Sequence, residues 1–304
     1  MRPKGLIRLL LTGCLLLLLS GCTFGATVDA LLTPPHLRGE QEQIYQALEN
    51  AVGNRITLQY PRSGDHLSAV MISDLDGDGQ DEAAVFYRKE SSLSTENALR
   101  LNLLDQADGT WMSVCDLPAE GAEVDRGFTA DIGGRQRLII GYSQVDQSDK
   151  ALVVYNYEGG TLAKSFTVSY SSFDVADLDG DDQSELLILK AAEGEHAAEA
   201  AVYVPDEQDH YARYSLTLQG KTTEYSQVLC GNTQGKQTAI YLDGIVGATT
   251  MQTEVLQFDG KKLSYLVPTG SDAVSTIRPT GWLTMDIDPV SYTHLRAHET
   301  CADL

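Results

Sequence analysis

Basic residues are scarce. The 304-residue chain has 22 lysines and arginines against 43 aspartates and glutamates, a formal net charge of −21. Phosphate backbones are held by a basic footprint, so nucleic acid is excluded as a partner. Cysteine is also thin. Away from the two ends only Cys115 and Cys230 remain, too few for a disulfide framework. Their apolar neighbours suggest buried thiols, and a single disulfide stays open. Histidines at 36, 66, 196 and 210 show no H-E-x-x-H spacing, and neither a G-x-S-x-G elbow nor a phosphate-binding glycine loop occurs. A carboxylate pair for glycoside hydrolysis is defined by separation in space and is not legible here.

The one long apolar run is Leu9–Leu19, behind Arg2, Lys4 and Arg8. It is short for a membrane span and has the form of a secretory leader. It ends Leu19-Ser20-Gly21-Cys22, which resembles a bacterial lipobox. That resemblance implies a signal peptide over 1–21 and a lipidated N-terminus at Cys22, anchoring the protein outside the cell membrane; two acyl chains hold stably where one does not. Residues 22–38, with Pro34-Pro35, read as a tether. At the other end, Val290–Thr300 fits no structural element and resembles a translated sequencing-library adapter. Residues 289–304, with His294, His298 and Cys301, are therefore set aside, and the natural chain is expected to be longer.

The most informative stretch is Asp74-Leu75-Asp76-Gly77-Asp78-Gly79-Gln80-Asp81-Glu82. Apolar runs flank it on both sides. Like charges about 4 Å apart repel by roughly 4 kcal/mol at an effective dielectric near 20, so a tight turn gathering four carboxylates calls for a cation. Oxygen ligands at alternate positions with glycine at the bend suit Ca²⁺. The expected ligands are Asp74, Asp76, Asp78 and Glu82 through side chains and Gln80 through its carbonyl. Acidic turns also occur without ions.

The motif returns as Asp177-Leu178-Asp179-Gly180-Asp181-Asp182-Gln183-Ser184-Glu185, giving Asp177, Asp179, Asp181, Gln183 and Glu185 as a second set. Asp182 stands where the first loop has a glycine. Reduced copies begin at Asp131 and Val228, and another begins at Asp286. Two-residue turns at Asp108-Gly109, Gly159-Gly160, Gln208-Asp209 and Asp259-Gly260 keep a beat of about 50 residues, and each lies between apolar runs. A unit of that size holds four short strands and cannot bury its own faces alone. The expected fold is all-β: a β-propeller of four-stranded antiparallel blades, about four plus the start of a fifth, cut short at the C-terminus. One helix is expected over 39–53, with Ile44, Leu48 and Val52 on one face beside Ala47 and Ala51. Residues 39–288 thus form the helix and the partial propeller.

The D-x-D-G-D-G-x-x-E loop at blade spacing resembles the calcium loops of integrin-α-type propellers, the FG-GAP or VCBS-like repeats of bacterial surface proteins. The resemblance covers roughly 55–288, without the Phe-Gly and Gly-Ala-Pro signatures. EF-hand and dockerin loops have helical flanks, whereas these flanks are β-type. The resemblance implies that each ion ties the turn to its own hairpin. The expected role is a lipid-anchored, extracytoplasmic binding or scaffold module with a protein or glycan ligand at the cell surface. The loops at 90–97 and 193–199 are candidates for recognition, though loops are first of all surface connections. The alternative is a carbohydrate-active or other surface enzyme, with catalysis in the propeller or in a missing C-terminal region.

Overall fold

The structure is a computed structural model and describes residues 39–89, 99–144, 150–219, 221–232, 238–246 and 250–266. The leader, Cys22, the tether, the 90–97 loop, the Asp286 copy and the 289–304 tail lie outside the described residues. The chain divides into two units, 1–42 and 43–304; of the first, only the start of a helix is described. No helix among the described residues is long and apolar enough to cross a membrane.

Helix α1 spans Glu40–Val52. Gly53 ends it at a φ of 95°, a left-handed position that suits glycine, and its N–H donates to Glu49 O at 2.8 Å. Ile44 and Leu48 are fully buried. Ala51, expected on the same face, is exposed, so the buried stripe is narrower than the apolar pattern.

Four antiparallel sheets follow in chain order. The first blade holds β1 (Ile56–Leu58), β2 (Val70–Ser73), β3 (Glu82–Lys89), β4 (Leu99–Ala107) and β5 (Thr110–Pro118). The second holds β6 (Glu123–Asp131), β7 (Gln136–Ser143), β8 (Lys150–Glu158) and β9 (Thr161–Tyr170). The third holds β10 (Ser172–Ala176), β11 (Glu185–Lys190), β12 (Glu199–Pro205) and β13 (Tyr211–Thr217). The fourth holds β14 (Thr222–Asn232), β15 (Thr238–Val246), β16 (Thr250–Phe258) and β17 (Leu263–Tyr265). This is the all-β, four-stranded blade architecture of a β-propeller.

The first blade departs from the repeat. β1 and β2 share one edge of β3, β1 pairing with its C-terminal half and β2 with its N-terminal half. A strand expected over 56–60 is therefore three residues long, because from Val85 back to Glu82 that edge of β3 is taken by β2. The chain then crosses to the second blade, where Ser63 N donates to Asp125 O at 2.8 Å.

Blade stacking explains the composition of the inner strands. Residues of β7 alternate, with Leu138 and Ile140 packing toward the first blade and Ile139 toward the third. A strand covered on both faces reads as a continuous apolar run, and β7, β11 and β15 all do. Phe86, Leu101, Leu103, Tyr142 and Tyr155 join the first and second blades. Leu187, Val202, Ile240 and Leu256 join the third and fourth. The outer face of the first blade is closed by Ile44 and Leu48, which pack with Val85, Tyr87 and Trp111.

Two of the four expected two-residue turns form as such, while β12–β13 and β16–β17 are joined by the longer segments 206–210 and 259–262. Asp108 and Gly109, like Gly159 and Gly160, both have positive φ, as a tight two-residue hairpin requires.

Candidate metal centre

The acidic loops join β2 to β3 in the first blade and β10 to β11 in the third. In each, the aspartates fold back onto the loop's own amides. Asp74 Oδ1 accepts from Gly77 N at 2.7 Å and Asp74 Oδ2 from Gly79 N at 3.0 Å. Asp177 does the same with Gly180 N at 2.7 Å and Asp182 N at 3.1 Å. Gln80 N and Gln183 N each donate at 2.8 Å, to Asp78 Oδ1 and Asp181 Oδ1; their carbonyls have no described contact. Asp182 takes a φ of 68°, matching Gly79 at 87°. Aspartate is among the few residues that enter this region, and the two loops share one backbone path.

Oxygens of Asp74, Asp76 and Asp78 lie within 4.8 Å of one another, as do those of Asp177, Asp179 and Glu185. Glu82 falls outside the first trio and Asp181 outside the second. The closing glutamates are the buried members, at 1% exposure for Glu82 and 2% for Glu185. Each uses one oxygen on the second residue of its loop: Leu75 N donates to Glu82 Oε2 at 2.7 Å, and Leu178 N to Glu185 Oε2 at 2.8 Å. Burial pushes both carboxyls up to about 7, against the lowering effect of that amide, with the neighbouring aspartates adding to the rise. The other oxygen of Glu82, Oε1, is buried without any hydrogen-bond partner.

A carboxylate shut away from water with an unmatched oxygen is costly unless a positive charge meets it. The donor set is all oxygen, which suits a hard dication. These residues fit a calcium ion on chemistry alone. Sequence reasoning missed Asp105, which sits on β4; burial is the main cause of the raised proton affinity of Asp76 and Glu82, and Asp105 adds to it by charge repulsion. No spacing rule could have found it, since it joins the loop through strand pairing.

The loops also meet the following blade, beyond their own hairpins. A Cβ at Gly260, in the β16–β17 turn, would come within 2.8 Å of Asp179 Oδ2. Asp76 and Gly77 share a cavity with Asn156 and Tyr157 beside the β8–β9 turn.

The remaining site candidates are scattered. Cys115 and Cys230 are half-buried free thiols, and burial raises Cys230 to about 12. His210 pairs with Asp206 at 3.2 Å on the surface. Among the described residues, no histidine or cysteine joins an acidic group that could hold a metal. The 193–199 loop carries a short bridge between Glu193 and His196.

No protein-family model matches the chain, and no curated protein matches it. Solved structures do. An exotype rhamnogalacturonan lyase, YesX, is 14% identical over 73% of this chain and 57% of its own, with a TM-score of 0.34. An exo-β-1,3-galactanase from Phanerochaete chrysosporium is 11% identical over 74% and 55%, with a TM-score of 0.32. TolB from Acinetobacter baumannii is 13% identical over 78% and 59%, with a TM-score of 0.32. The chain thus spans little more than half the length of these proteins, and similarity at this level says nothing about what it binds or acts on.

Proposed function

We propose that this protein is a calcium-stapled β-propeller module of the FG-GAP or VCBS-like kind, lipid-anchored through Cys22 outside a bacterial cell membrane. It serves as a binding or scaffold domain. One observation carries the calcium reading: Glu82 Oε1 is buried and unpartnered beside the Asp74, Asp76 and Asp78 cluster. In this reading Asp74, Asp76, Asp78, Glu82 and the Gln80 carbonyl hold one ion. Asp177, Asp179, Asp181, Glu185 and the Gln183 carbonyl hold a second. The ion supplies the charge that lets each buried glutamate stay ionised, and its role is structural.

Recognition then falls to the other end of the blades. Antiparallel pairing puts Ser172 and Lys190 at the end of the third blade opposite its acidic loop. A cavity of about 930 Å³ opens there, lined by Lys190, His196 and Tyr225 among others. A protein or glycan at the cell surface is the ligand class proposed for it.

Thermal melts of the mature chain in millimolar Ca²⁺ against chelator test the metal reading. Binding to the folded state alone raises the midpoint by ligand linkage. Asp76→Ala together with Asp179→Ala should remove most of that rise. Equal midpoints in calcium and chelator would overturn the reading. Fractionation of cells carrying Cys22→Ser tests the anchor, with release from the membrane as the expected result.

A further inference from the structure

The second blade has a loop between its first two strands but no acidic set, and a different residue stands in the place of the closing glutamate. Glu82 pairs across its sheet with Ser73, and Glu185 with Ala176. The residue buried two positions beyond Ser73 is Leu75; beyond Ala176 it is Leu178. In the second blade the matching buried residue is Ile132, two beyond Ala130, and Ala130 pairs with Arg137. Glu82, Arg137 and Glu185 therefore occupy one register position in three successive blades.

Arg137 is as buried as the glutamates, with its side chain 1% exposed. Its Nε donates to Ile132 O at 2.9 Å, where the glutamates instead accept from the Leu75 and Leu178 amides. Its Nη1 donates to Asn156 Oδ1 at 2.7 Å, and its Nη2 to Asp209 Oδ1 at 2.6 Å. Asn156 Nδ2 closes the network on Asp209 Oδ2 at 2.5 Å. Asp209 lies in the β12–β13 turn of the third blade, at a φ of 62°. That turn corresponds to the β16–β17 turn, whose Gly260 lies against Asp179. The same contact between loop and next turn is thus built in two ways.

We propose that Arg137 is a built-in cation that replaces a bound ion at the junction of the second and third blades. This junction is then locked whatever the calcium level, while the first–second and third–fourth junctions tighten only when calcium is present. The inference rests on the calcium reading for the two flanking junctions. For the middle junction it rests on the Arg137 network alone. A guanidinium that donates in three directions, to a backbone carbonyl, a side-chain amide and a carboxylate, is the residue type suited to such a buried position, and burial shields the pair from salt.

Hydrogen exchange on the mature full chain, in calcium and in chelator, separates the two parts. Chelation should lower protection at least tenfold in the two acidic loops and the 258–263 turn. The 206–211 turn should not change. Arg137→Met should expose the 206–211 turn equally in calcium and chelator, and Asp209→Asn, a surface-turn change, should do so more weakly. Arg137→Lys should restore part of the protection. Chelation exposing the 206–211 turn as much as the 258–263 turn would overturn the proposal, as would Arg137→Met and Asp209→Asn both leaving that turn protected. If calcium protects neither acidic loop while Arg137→Met still exposes the turn, the calcium reading fails and the arginine lock stands.

Discussion

Gly260 and Asp179 approach so closely that a Cβ at Gly260 would lie 2.8 Å from Asp179 Oδ2, and the carboxylate would have to shift to admit it. Gly260 also holds a φ of 80°, a conformation that side chains resist. Gly260→Ala should therefore destabilise the fold by about 1–3 kcal/mol. It should also weaken calcium binding at the second loop, because it pushes on a proposed ligand. Paired denaturation curves with and without calcium would show a smaller calcium-dependent rise in the variant than in the parent.

Asp105 accepts from Tyr157 Oη at 2.7 Å, across the first and second blades, and it adds negative charge beside the first loop. Asp105→Asn should lower calcium affinity there by about fivefold or less, the size expected of one charge at medium range. The second loop should be untouched. Calorimetric titration resolving two sites would show one shifted constant and one unshifted. An equal change at both sites would contradict this placement.

Asp243 is a buried carboxyl on β15 that accepts from Thr253 Oγ1 at 2.9 Å. Burial raises it to about 6, against the lowering effect of the threonine. The folded state thus binds this proton more tightly than the unfolded state. The stability it brings is present below about pH 4 and is lost as pH rises through 6. Asp243→Asn should stabilise the protein by about 2 kcal/mol above pH 7 and by almost nothing near pH 4. Denaturant midpoints across that range would follow the difference.

Leu48 is fully buried between α1 and the first blade. Leu48→Ala should cost about 3 kcal/mol, through lost burial and the cavity left behind. Ala51→Ser, on the exposed side of the same helix, should change the midpoint hardly at all. A similar cost for both would mean that α1 packs by another face.

Much of the architecture was open to reading in advance because its causes are local. Asp108-Gly109 and Gly159-Gly160 favour the positive φ that a tight hairpin needs, and such pairs set the beat of the blades. The path of the Asp177 loop was equally legible, since Asp182 could stand in for glycine at the bend. The exposure of Ala51 was not legible. An apolar residue on a helix face says which side prefers burial, whereas the breadth of the covering surface depends on the blade beneath it.

The chain by itself determined the strand periods, the turns and the two carboxylate loops, since each is settled by neighbours within about ten residues. Only the tertiary structure decided what completes the junctions. Glu82 and Arg137 hold the same position in their blades, yet the second-blade loop is shorter, so a linear comparison of the loops does not bring them into line. Arg137 and Asp209 lie 72 residues apart, and they meet because blades stack face to face and bring each inner loop onto the next outer turn. Whether a junction is closed by a bound ion or by a guanidinium is settled by that stacking, because a buried charge is stable only where its partner is delivered.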